Sequence, residues 1–364
     1  MLSTVALAGG NALAKRLAAA AEEPRDWKLP PVTLFLFLGD IVLFLPVLVL
    51  INYTFNHVYT TLAAVEDPLP AYEALPMNDD GTPKPDDELA QRGRPITSSL
   101  RATYRLLCSL GSWRSNFRGL GYSAFIAFLM GLVTLFFCLL PFIPNFIAPL
   151  LALLAASPLL TAWTHFVITA PTTRRFSGRI PPLRKVYLAT WLPTLLAWLA
   201  AQASVMLPIF LGRVLGLSLR DPTTPDRFRS TPLTPGEAGM SVGLVALSVA
   251  LHALLAVPAD VALTRVRASL LPADQDTLVP FDRSFGGRVE PEVVSGKGFA
   301  TFGAALATVP WRSWVRIYLL RVKVFALSMA VYPVMAAVVI VQILLLRQVC
   351  EPDGEDGAKA YKCY

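Results

Sequence analysis

The chain has 364 residues, 54% of them hydrophobic and 16% charged, with a formal net charge of +7. Typical globular chains carry about 25% charged residues, and with a mean hydropathy of +0.54 an ordinary soluble domain is excluded. The basic balance does not indicate nucleic acid. The arginines sit in short loops between apolar runs, with no basic stripe interleaved with aromatics, which is how the positive side of a membrane protein reads.

The first 31 residues form an N-terminal extension. It lacks the long apolar stretch of a secretory signal, and its first 20 residues carry Lys15 and Arg16, many alanines and no acid. That composition suits an amphipathic organelle-targeting helix until Glu22, Glu23 and Asp26 break it. Six apolar runs follow, at about 32–54, 121–141, 145–170, 187–212, 239–263 and 321–346. Each matches the roughly 20 residues that a helix needs to cross a bilayer. Backbone polar groups in lipid must be satisfied within the segment, so the expected fold class is an all-α polytopic membrane protein. Its six transmembrane helices would form three helix pairs.

The first loop, 55–100, contains the proline- and acid-rich stretch PMNDDGTPKPDDELAQRG, too polar to bury much and expected to be a flexible linker. The loop after the third run, TTRRFSGRIPPLRK, has five basic residues and no acid. It sets the first, third and fifth loops on the cytoplasmic or matrix side, and Arg174, Arg175 and Arg179 are candidates for anionic lipid head groups. Gly239 and Gly243 are spaced for close helix packing. Trp311, Trp314 and Tyr318 read as interfacial anchors beside Arg312 and Arg316. The polar tail 347–364 holds Cys350 and Cys363, either a pair in an oxidising space or two free thiols.

Polar groups inside the apolar runs are few. Asp40 lies within the first run and His252 within the fifth. An aspartate at such a depth costs roughly 2.5–3.5 kcal/mol on insertion scales, so Asp40 should face the bundle interior, with His252 or an arginine as partner. The only other histidines are His57 and His165, with no metal-ligand spacing. No metal, cofactor or catalytic constellation is expected. The fifth run ends VPADVALTRVR, with Pro258, Asp260, Arg265 and Arg267 at the membrane exit.

That ending resembles the motif that closes the odd helices of mitochondrial carriers, three-repeat, six-helix solute carriers. Pro258 and Asp260 fall on its first two fixed positions and Arg265 on its last, while Leu263 stands where the central base belongs. In the second repeat Pro171 matches and Thr173 replaces the acid; the first has no copy. GSWRSNFRGLGYS resembles the family's glycine–aromatic–base–glycine pattern with one extra residue, and a short amphipathic segment precedes it. The resemblance implies a carrier-like bundle in which the acid pairs with a base and closes a gate. Asp40, His252, Pro258, Asp260 and Arg265 are then gate and cavity candidates, with Arg265 as partner; read locally, Asp260 is a helix-end acid pairing Arg265 or another loop arginine. The function so implied is movement of a small, anionic metabolite across an organelle membrane, mitochondrial by the same resemblance. The alternative is a non-transporting scaffold or adaptor that contacts other membrane proteins. Membrane lipids are partners in either case.

Overall fold

The computed structural model describes residues 31–67, 95–171, 176–217, 235–272, 274–289, 297–353 and 360–363. Among them the chain is almost entirely helical. The first membrane run comprises α1 (Pro31–Val49), a π-helical stretch (Leu50–Tyr59) and α2 (Thr60–Val65). After α3 (Leu100–Gly111) come α4 (Leu120–Cys138), α5 (Ala148–Ala155), α6 (Ser157–Ile168) and α7 (Leu183–Val214). The fifth run is α8 (Pro235–Leu251), a π-turn (His252–Ala256) and α9 (Val257–Ser269). Then come α10 (Phe302–Ala307) and α11 (Trp311–Val349). In the C-terminal tail β1 (Cys350–Asp353) pairs antiparallel with β2 (Ala360–Cys363), and Cys350 and Cys363 are Cα partners in the register.

Five helices in the described residues are long and apolar enough to cross a membrane: 35–65, 113–138, 183–214, 235–269 and 311–345. The third expected span, 145–170, is not a single straight helix. α5 and α6 meet at a 57° bend, where Pro158 stands in the first turn of α6. Proline lacks the N–H for a continuous ladder and crowds the carbonyl four residues back, so the helix turns there. The chain is an integral membrane protein by these helices. Their outward side chains agree: Phe35, Val42, Phe128, Phe210 and Trp311 are all more than 60% exposed.

The first span is longer than its hydropathy suggests. Residues 55–65, expected to begin a flexible loop, are helical, and 58–65 are buried. Asn56, His57, Thr60 and Thr61 look like a membrane exit because they are polar, but they line an internal cavity. The linker stretch at 77–94 lies outside the described residues. A methyl group added at Gly239 or Gly243 would meet nothing within 4 Å, so the close packing expected there is not seen among the described residues.

The chain divides into two compact units. The smaller comprises 1–42, 205–249 and 336–364, and so takes in parts of α1, α7, α8 and α11 with the hairpin. Within it, Gln342 Nε2 donates to Asp40 Oδ1 at 2.8 Å. The larger comprises 43–204 and 250–335. Its main core packs Val58, Tyr59 and Leu62 with Leu107, Ile168, Val257, Val261, Ile317 and Val324. A second cluster sets Val186, Ala262 and Val266 against Phe285, Ala300 and Ala305.

Candidate functional site

In the larger unit, segments of five runs enclose a cavity of about 340 Å³. α9 contributes Asp260, Leu263, Thr264 and Arg267 to its wall. These are residues i, i+3, i+4 and i+7, which share one face of a helix. The first run contributes Asn56, His57, Thr60, Thr61 and Ala64 with the same periodicity, and α7 contributes Thr194, Ala197, Trp198 and Ala201. α6 supplies Trp163 and Thr164, and α11 supplies Ile317 and Arg321. The walls are therefore rich in hydroxyl, indole and guanidinium donors.

Several of those donors have no acceptor. Thr194 Oγ1, Trp198 Nε1, Arg267 Nε and Arg321 Nε are buried without a hydrogen-bond partner. Nearly all buried polar groups in proteins are satisfied, and one left bare costs about 1–3 kcal/mol. Nε is equally bare in the ion-paired Arg265 and Arg316, so the two donors that set this space apart are the Thr194 hydroxyl and the Trp198 indole N–H. Charge sets it apart as well. Arg321 pairs with Asp260 at 2.6 Å, and the same carboxylate is the charge that acts on Arg267, whose Nε has no hydrogen-bond partner among the described residues. One carboxylate faces two guanidinium groups, leaving an excess positive charge.

The wall is held in place by groups outside the cavity. Tyr53 donates to the Arg118 carbonyl at 2.6 Å and accepts from Trp163 Nε1 at 3.2 Å. Arg118 in turn donates to the carbonyls of Phe166 and Thr169, capping the end of α6. This contact needs glycine at 119. Its φ is +77°, and a Cβ there would lie 3.0 Å from Trp163 Nε1 and 3.1 Å from the Tyr53 hydroxyl. His165 Nε2 lies 2.8 Å from the Arg267 carbonyl oxygen and ties α6 to α9.

Beyond one end of the cavity wall, buried ion pairs join the end of α2 to α9 and α11. Glu66 meets Arg316 at 2.9 Å and also accepts from the backbone of Ile96 and Thr97. Asp67 meets Arg265 at 2.8 Å and accepts from the Asp282 backbone N–H. Arg265 is sandwiched by the rings of Phe281 and Phe285, with its guanidinium carbon 5.9 Å and 5.2 Å from their centroids.

The site thus differs from the expected one in particular ways. Asp260 lines the cavity, but its partner is Arg321; Arg265 lies about 140° round the helix from Asp260 at 100° per residue and pairs with Asp67 instead. Pro258 opens α9 within its first turn. His252, on the π-turn, and His57, on the π-helical stretch, are both within electrostatic range of Asp260 and Arg321. Asp40 has an amide partner, Gln342, rather than a histidine or arginine. Arg179 is not a lipid contact: it is 3% exposed, donates to Thr169 Oγ1 at 2.7 Å and stacks over Phe166. Arg174 and Arg175 lie outside the described residues. Arg316 is buried on Glu66 instead of standing at the interface.

Sequence reasoning alone misses Arg267, Arg321, His57 and the Glu66–Asp67 pair as site residues. Arg267 is nonetheless legible, being two helical turns from Asp260 on the same face. The acids are also legible, as a charged pair directly before Pro68 at the end of an apolar run. Among the described residues no group of histidines, cysteines and acids is placed to hold a metal. Comparison with protein-family models, curated proteins and solved structures yields no match.

Proposed function

We propose that the chain is a membrane transporter whose solute chamber is the cavity between the first run, α6, α7, α9 and α11, and whose solute is a small anion. The observation that carries this reading is that Arg267 and Arg321 share one carboxylate, Asp260, across a space that the bare Thr194 hydroxyl and Trp198 indole also line. Two cations sharing one counter-charge inside a membrane protein are expensive and mark a solute or ion path. A carboxylate or phosphate is acceptor-only and accepts a guanidinium fork in a bidentate manner. Bound near Arg267 it would meet the orphaned N–H and O–H groups and cancel the excess charge.

The Asp260–Arg321 pair supports the reading. It is open rather than sealed, with the Asp260 side chain 57% exposed, so an entering anion can compete with Asp260 for Arg321. The resemblance of 258–267 to the carrier motif supports an organelle membrane, that of the mitochondrion. A scaffold or adaptor with the same fold would have no use for the bare donors.

The test is uptake into proteoliposomes across a panel of radiolabelled mono- and dicarboxylates and inorganic phosphate. Wild type should accumulate at least one anion. Arg267→Gln should lower that uptake at least tenfold, and Asp260→Asn should change it. If no solute is accumulated, or if Arg267→Gln transports as well as wild type, the scaffold reading replaces this one.

A further inference from the structure

Next to the chamber, on the side of the first run that faces α4, lies a second space. It is an open groove of about 310 Å³, lined by Leu48, Val49, Asn52, Tyr53, His57, Leu120 and Ser123. Its accessible lining is mostly apolar. His57 stands on the wall of both spaces.

The partition has two fixed posts and one free leaf. Tyr53 is anchored on Arg118, and Trp163 is anchored on Tyr53. His57 lies edge-on to Trp163 with centroids 6.4 Å apart, and 6.3 Å from Tyr53. Its imidazole makes no hydrogen bond among the described residues, and the residue is exposed. It sits on the π-helical stretch, a backbone form that widens a helix and is frequent at functional sites.

We infer that the chamber is entered from the membrane past His57, and that its ligand is a single-chain amphiphile with an acceptor-only anionic head. The head occupies the chamber against Arg267, and the tail lies in the groove along Leu48, Val49 and Leu120. Charge complementarity selects the head, since the chamber holds two guanidinium groups against one carboxylate. The apolar lining of the groove accepts the chain. A carboxylate and a phosphate head fit the same donors, so the shared chemistry is that of a long-chain anion. This inference rests on the solute-chamber reading and narrows its substrate class.

The experiment is photolabelling of the full-length protein in nanodiscs with a diazirine-bearing long-chain fatty acid, mapped by mass spectrometry. Label should fall on 48–57 and 120–123. It should be chased by excess oleate, a carboxylate, or by lysophosphatidic acid, a phosphate, whichever head the chamber holds, and not by butyrate. Ser123→Trp, which fills the groove, and His57→Trp, which wedges the partition, should each cut labelling at least fivefold. Arg267→Gln should do the same with the groove intact. Size-exclusion profiles matching wild type keep the variants comparable, and Leu120→Trp replaces any that aggregates.

Equal labelling by a long-chain alcohol, which lacks the charge, would overturn the inference by showing only annular lipid. So would labelling that ignores both tryptophan variants. If instead short carboxylates bind and are transported while the long-chain probe never labels the groove, the lateral route fails and the anion chamber stands. If no anion of either length responds to Arg267→Gln, the chamber reading itself falls.

Discussion

Glu66 and Arg316 are 2.9 Å apart with side chains 1% and 5% exposed. Two charges so deeply buried are tolerable only together. Glu66 also takes the backbone N–H groups of Ile96 and Thr97 and the Thr97 hydroxyl, so both of its carboxylate oxygens are engaged. Arg316 adds contacts to the carbonyls of Ala63 and Glu66, the unsatisfied end of α2. Removing one member of such a pair leaves a bare buried charge, at a cost of about 3–5 kcal/mol. Glu66→Gln should therefore lower unfolding stability in detergent by that order. Glu66→Met combined with Arg316→Met should recover much of the loss, because the neutral pair leaves no uncompensated charge. A Glu66→Gln variant within about 0.5 kcal/mol of wild type, the usual range for a surface substitution, would show that the pair is not the tie between α2 and α11. The same arithmetic separates Arg316 from Arg267. Arg316 has a carboxylate of its own in contact, whereas Arg267 shares Asp260 with Arg321 beside an open space.

Elements assign those roles by helical phase. α9 presents Asp260, Thr264 and Arg267 to the chamber and turns Arg265 towards Asp67 and the loop that follows. That loop is ordered by one carboxylate. Asp282 accepts from the hydroxyl and N–H of Ser284 and from the N–H of Gly286, and its own N–H binds Asp67. Burial alone would raise the Asp282 pKa. The Ser284 and Gly286 donors and the nearby charge of Arg265 outweigh it, and hold the carboxyl below its ordinary value of 3.8. A folded value below the unfolded one stabilises the loop above the ordinary value, and that contribution is lost as pH falls through the lowered folded value. Hydrogen exchange at 282–289 should therefore be slow at neutral pH and accelerate, beyond the intrinsic rate, on acidification below about pH 4. Asp282→Asn should flatten this pH dependence. An unchanged acid response in that variant would assign the loop's order to other groups.

At the scale of the whole molecule, hydropathy alone placed the membrane helices, because a bilayer demands long apolar runs and little else produces them. Two things escaped it. The break between α5 and α6 left the run apolar throughout, so only Pro158 signalled the bend. The inner end of the first run is polar because it lines a chamber, and polarity in sequence does not distinguish a cavity wall from a loop. Asp260 was legible as a misplaced acid, but its pairing with Arg321, 61 residues away, depends on how α9 meets α11. That Arg267 shares Asp260 with Arg321 is a tertiary fact for the same reason. The central claim is that Arg267 holds an anion. Its most direct test is thermal unfolding of the purified protein with and without short carboxylates, long-chain carboxylates and phosphates, wild type beside Arg267→Gln. At about 100 times the dissociation constant a true ligand stabilises by about 2.7 kcal/mol. Wild type should be stabilised by at least one anion and the variant by none. Equal stabilisation of both proteins, or of neither by any anion, would contradict the account.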